Sequence, residues 1–155
     1  MELLTSLVSG DELSPTSFGL SVHNAITGLL GIARRDRSNC ITLAACDESA
    51  EHGLLEACSL LADGADEVLV IVADVPLPPI YSVFDDTDPV AFAWAVRITP
   101  PANAPVSLHW ETTNAAPARG AEIHAALTAL RFLQGNDRKM EHVSASHSWR
   151  WERDA

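Results

Sequence analysis

Residues 41–78 read ITLAACDESAEHGLLEACSLLADGADEVLVIVADVPLP. Three elements follow from this stretch. Cys40–Ala45 is a continuous apolar run bounded by Ser38, Asn39 and Asp47, which predicts a buried strand. Ser49–Asp63 places Leu54, Leu55, Cys58 and Leu61 on one face of a helix, with Gly64 as its stop. Glu67–Ala73 is unbroken in its apolar character. That pattern predicts a central parallel strand covered on both faces. Strand, helix and strand at this spacing predict a right-handed βαβ unit.

Upstream, Ser14-Pro15-Thr16 predicts a helix start, with Ser14 as N-cap and Pro15 at the first helical position. The helix is expected to reach about Arg35. Phe18, Val22, Ala25, Ile26, Leu29, Leu30 and Ile32 cover more than one stripe, which predicts burial on most faces. Gly19, Gly28 and Gly31 lower its intrinsic propensity, so close packing against a neighbour is expected. Residues 1–13 form a short amphipathic lead. Downstream, 74–87 reads as a Pro- and Asp-containing loop and Val90–Thr99 as a strand. A Pro-rich break follows, then a strand over Val106–Glu111, a linker over Thr113–Arg119 and a helix over Ala121–Leu133. The tail 147–155 alternates around Trp149 and Trp151 and predicts a short strand. The expected architecture is α/β, a mixed sheet with helices on both faces, in one domain spanning 1–155.

The chain has 155 residues, 47% of them apolar and 20% charged, which is a globular composition. A formal net charge of −11 argues against nucleic acid or an anionic membrane as partner, since both need a basic patch. No apolar run reaches the roughly 18 residues of a membrane span; Arg34, Arg35 and Asp36 end the longest. Met1–Gly10 lacks a basic signal-peptide start and carries Glu2, so a cytoplasmic location is expected. Cys40, Cys46 and Cys58 read as buried free thiols of a reducing compartment. No Cys/His spacing suggests zinc, and neither metal nor cofactor is expected.

SPTSFGLSVHNAITGLLG at 14–31, the stretch 41–78 and the tail SWRWERD at 148–154 together carry a resemblance. They resemble the β-ketoacyl synthase-like N-terminal family, and are similar to its chain-length-factor subunits from aryl-polyene and related type II polyketide or fatty-acid systems. The resemblance implies a truncated, half-sized thiolase-like fold. In that fold the nucleophilic cysteine sits at a sharp strand-to-helix turn. Counted without gaps, its position falls on Asp47, with Cys46 one residue earlier. The family's catalytic histidines belong to the other half of the full fold, so no catalytic residue is expected here. The resemblance also implies a heterodimer with an active β-ketoacyl synthase, which this subunit stabilises or whose acyl tunnel it shapes. The facing side chains would be Phe18, Leu20, His23, Asn24, Ile41 and Leu43. An acyl carrier protein, itself acidic, would be reached only through the partner.

The residues leave alternatives open. Cys46 precedes a helix, which favours a thiolate, but Asp47 and Glu48 follow it and favour the neutral thiol. The reading the residues favour is that Asp47 or Ser49 caps the helix, with Glu48 and Glu51 complementing the dipole. A small independent acyltransferase or thioesterase using Cys46 is the rival reading. His23 and Asn24 are either satisfied core groups or interface groups. His52 and His124 are expected on helices and partly exposed. His109, His142 and His147 read as isolated. Asp85, Asp86 and Asp88 read as a solvated acidic loop, and Trp149 with Trp151 as a packing anchor.

Overall fold

Ser14 starts the first capped helix as its sequence predicts. In the computed structural model, which describes residues 2–84, 90–102, 105–114 and 123–153, Ser14 is extended and its Oγ accepts from Ser17 N at 3.3 Å. The chain divides into two compact units, 1–44 and 45–155.

The first unit holds α1 (Glu2–Ser9), α2 (Pro15–Gly19) and α3 (Ala25–Arg34). The single helix expected over 15–35 is therefore two. Ser21 Oγ donates to Phe18 O at 2.7 Å and Thr27 Oγ1 to Asn24 O at 2.8 Å. Such hydroxyls offer the backbone an alternative to the helical ladder, and Gly19 holds that ladder weakly. Arg35 ends α3 in the left-handed conformation, with φ 54°. Neither α2 nor α3 buries a side chain, so the expected burial on most faces is not met among the described residues. Cys40–Ala45 forms no strand; it runs outside any sheet. A strand needs a neighbour to take its backbone groups, and among the described residues this segment has none. Thr42 Oγ1 lies 2.9 Å from Thr27 Oγ1 and ties the segment to α3.

The second unit holds α4 (Ser49–Ala62), β1 (Val68–Asp74), β2 (Phe92–Ile98), β3 (Val106–Thr112), α5 (Ala125–Gln134), β4 (Lys139–Val143) and β5 (His147–Arg153). β1 and β2 form an antiparallel pair, with Val72 opposite Trp94. The other three strands form an antiparallel sheet in the order β3-β5-β4, with Trp149 between Trp110 and His142. The mixture of helix and strand is the expected one, but the pairing differs. β1 is not a central parallel strand and no βαβ unit closes on it. Val70 and Val72 are buried, whereas Leu69 and Ile71 on the other face are 62% and 58% exposed. The tail strand is as expected, and β4 beside it is an addition. The acidic loop 85–88 lies outside the described residues, as does the start of the helix expected from Ala121.

The core of this unit joins Ala50, Leu54 and Ala57 of α4 to Ala126, Ala129 and Phe132 of α5 over Val70, Val72, Trp94 and Trp151. Alanines at the facing positions let the helices seat closely. Trp149 and Trp151 are the largest fully buried side chains, in keeping with the expected anchor. Arg153 Nη2 donates to Phe132 O at 3.0 Å and its guanidinium lies over the Phe132 ring, placing a cation at the end of α5 where the helix dipole favours one. Gly64 stops α4 at φ 102° as predicted. The three cysteines, expected to be buried, are all exposed; each lies outside the alanine-lined seam that forms the core.

Candidate functional site

The turn before α4 is the sharp elbow of the second unit. Cys46–Glu48 is a short 3-10 turn that leads directly into α4. Cys46 takes φ 51°, a left-handed value unusual for a residue with a side chain. Ser49 Oγ accepts from Ala45 N at 3.1 Å and donates to Cys46 O at 2.7 Å, so Ser49 braces the elbow and not the helix N–H groups. Glu48 occupies the N-cap position of α4 without a side-chain cap bond. Neither Asp47 nor Ser49 is the side-chain cap expected from sequence. From the resemblance, Asp47 is expected at the nucleophile position; the left-handed residue of this turn is Cys46. Among the described residues, no hydrogen bond or ion pair involves the Cys46 thiol.

Glu48 instead turns its carboxylate toward the β4–β5 hairpin. Its Oε1 accepts from Ser144 Oγ, and its Oε2 lies 3.1 Å from His52 Nε2 and 3.0 Å from His147 Nδ1. Ser144 Oγ in turn accepts from the backbone N–H groups of Ser146 and His147, at 3.1 and 2.9 Å. Beside this centre, Glu51 is wholly buried and its Oε1 lies 2.9 Å from His142 Nδ1. The other face of His142 approaches Asp47, with Nε2 3.7 Å from Oδ2. Glu51 Oε2 has no hydrogen-bond partner among the described residues. Trp149 walls the cluster, with ring centroids 5.3 Å from His52 and 5.6 Å from His147.

The electrostatics follow from these contacts. Burial pushes the Glu48 carboxyl up, but the bonds from Ser144, His147 and His52 outweigh it and hold the group below the usual glutamate range. The Glu51 hydrogen bond raises His142; burial opposes this, and the charges of Glu51, Asp47 and Glu48 add to the rise.

Sequence reading placed His142 and His147 as isolated, and here the structure corrects it. Strand pairing brings both to the first turn of α4. The only local signal was Glu48 and His52, four apart on one helix face. His52 and His124 are partly exposed as expected, and His124 caps α5 by accepting from Ala126 N at 3.2 Å. The expected interface residues Phe18, Leu20, His23, Asn24, Ile41 and Leu43 all lie in the first unit and are all exposed. His23 and Asn24 line a groove of about 360 Å³ together with Thr27, Gly28, Cys40 and Thr42.

A model of the family described as beta-ketoacyl synthase, N-terminal domain, matches residues 1–152. The chain belongs to that family. The fold is a thiolase-like half, built here from two small antiparallel sheets and their helices. Among solved structures, the chain is similar to one from the ketosynthase ApeO in complex with its chain length factor ApeC from Xenorhabdus doucetiae. The TM-score is 0.81 at 25% identity, over 98% of this chain and 63% of that one. This ketosynthase-family chain therefore spans less than two thirds of the solved chain it matches. No curated protein matches it.

Proposed function

We propose that this chain is a non-catalytic, chain-length-factor-type subunit that pairs with an active β-ketoacyl synthase and stabilises it or shapes its acyl tunnel. The observation that carries the reading is the first unit. Ile26 and Ile32 on α3 are each 77% exposed, Phe18 on α2 is 64% exposed, and the apolar segment 40–44 pairs with no strand among the described residues. An apolar helix face beside unpaired backbone is a surface that a partner normally covers. The similar solved chain comes from a ketosynthase bound to its chain length factor.

On this reading the whole chain acts as one half-fold. Phe18, Leu20, His23, Asn24, Ile41 and Leu43 face the ketosynthase, which supplies the reactive cysteine and its histidines. The charge of −11 leaves the acidic acyl carrier protein to dock on the partner. Among the described residues no helix is long and apolar enough to cross a membrane, which fits assembly in the cytoplasm.

Co-expression with the ketosynthase encoded beside it, followed by native mass measurement, tests the pairing. A stable complex is expected, with self-association of the chain expressed alone. A stable monomer that ignores the ketosynthase sinks the proposal. Within the complex, Phe18→Ala or Leu20→Trp is expected to shift product length; an unchanged product limits the role to stabilisation.

The exposed, left-handed Cys46 favours one rival, a small acyltransferase or thioesterase using that thiol. Cys46→Ala separates the two. Unchanged product formation by the complex is expected, and its loss supports the rival.

A further inference from the structure

We propose that Glu48, His52 and His147 form a binding site for one divalent transition-metal cation of the zinc class. The ligand atoms, Glu48 Oε2, His52 Nε2 and His147 Nδ1, all lie within 4.8 Å of one another. A zinc ion bonds such atoms at about 2.0–2.1 Å, which sets adjacent ligands about 3.3 Å apart in a tetrahedron. Glu48 Oε2 already stands 3.1 and 3.0 Å from the two ring nitrogens. With all three atoms inside 4.8 Å, small rotations of the two imidazoles bring them to that spacing and admit the ion. Two histidines and one carboxylate are a donor set that suits zinc and leaves a fourth position for water.

The surroundings are built to hold these donors. Glu48 is buried and its second oxygen is fixed by Ser144, the kind of outer contact that orients a metal-binding carboxylate. Ser144 also accepts the backbone N–H of His147, which sets the position of that ligand. The Trp149 ring stands against both imidazoles. Access is open, since the side chains of His52 and His147 are 36% and 26% exposed. Charge favours a cation as well. Asp47, Glu48 and Glu51 converge on this end of α4, and Glu51 carries a buried oxygen with no partner among the described residues. Ring contacts and hydrogen bonds alone would make the cluster a lock between α4 and the hairpin, and such a lock needs no ion.

Calorimetric titration of zinc chloride into the chelator-treated full chain, purified with any partner it requires, decides between the two. One equivalent is expected to bind, and cobalt in its place is expected to give the visible absorption of a four- or five-coordinate ion. His52→Ala is partly exposed and leaves the Ser144 contact intact. It is expected to weaken zinc by at least about tenfold, in line with the losses caused by disturbing even the outer contacts of such sites. Its circular dichroism is expected to stay unchanged, and His147→Ala to act in the same direction. Alkylating the three cysteines is expected to leave binding as it was. Absence of zinc binding, wild-type affinity in His52→Ala, or loss of binding on alkylation each overturns the site.

Discussion

Glu48 is the residue on which the hairpin and the start of α4 converge. Its carboxylate meets Ser144, His52 and His147, so removing it takes a charged partner from both imidazoles and from the buried Ser144 hydroxyl, which keeps only the His147 carbonyl at 3.1 Å as acceptor. Glu48→Ala is expected to destabilise the chain by about 2–3 kcal/mol, short of the roughly 3–5 kcal/mol of breaking a fully buried charged pair, because the two imidazoles keep some contact with water. Urea denaturation measures it. The same cluster sets a pH profile. His142 has a raised pKa, so its contribution is complete below the unfolded histidine value of about 6.5 and is lost as pH rises through the higher folded value. Glu48 has a lowered pKa, so its contribution is complete above the unfolded glutamate value and is lost as pH falls through the lower folded one. Stability in the presence of chelator is therefore expected to be greatest in the weakly acidic range. His142→Gln is expected to flatten the alkaline side, as thermal melts across pH would show.

Among the elements, α5 is held at both ends. His124 caps its start while its Nε2 lies 3.3 Å from Asp74 at the end of β1. Arg153 closes its last turn. Gly135 sits at that closure, where an added Cβ would stand 2.9 Å from Arg131 O. That oxygen is backbone and accepts from Gly135 N, so it cannot yield easily. Gly135→Ala is expected to lower the melting temperature by several degrees, roughly the effect of 1–2 kcal/mol in a chain of this size. Gly64→Ala strains a positive φ but meets nothing within 4 Å, so it serves as the comparison. Segment 40–44 behaves in the opposite way. Its side chains were legible as a strand, yet its backbone finds no ladder within the described residues. Pairing is a property of two segments, and one segment's pattern states only that it is ready.

At the scale of the whole molecule, the exposed apolar face of the first unit decides behaviour in solution. An obligate subunit interface buries on the order of 2,000 Å² or more. Ile41→Asp places a charge on the segment proposed to meet the ketosynthase. It is expected to abolish co-purification while leaving circular dichroism of the chain unchanged, because Ile41 is exposed and packs in no core. Retention of the complex by this variant would move the interface elsewhere. In the second unit the open face of β1, with Leu69 and Ile71, is a further apolar surface available for cover, as are Ile80, Val83 and Phe84.

The linear order of residues was enough for the helix start at Ser14, the stop at Gly64, the positions of α4, β1, β2 and β3, and the tryptophan anchor of the last strand. Each rests on a local preference, such as a hydroxyl beside an N–H, a glycine at positive φ, or an apolar run of strand length. It was also enough for family membership, through three quoted motifs. Three-dimensional packing alone decided that β1 pairs antiparallel with β2 and shows one bare face, and that residues 15–34 break into two helices. It alone assembled Glu48, His52, His142 and His147. Those four are separated by up to 99 positions, and the β4–β5 pairing sets His142 and His147 side by side against the start of α4. Side chains distant in sequence meet through backbone pairing and close packing, and neither is encoded at the positions of the side chains themselves.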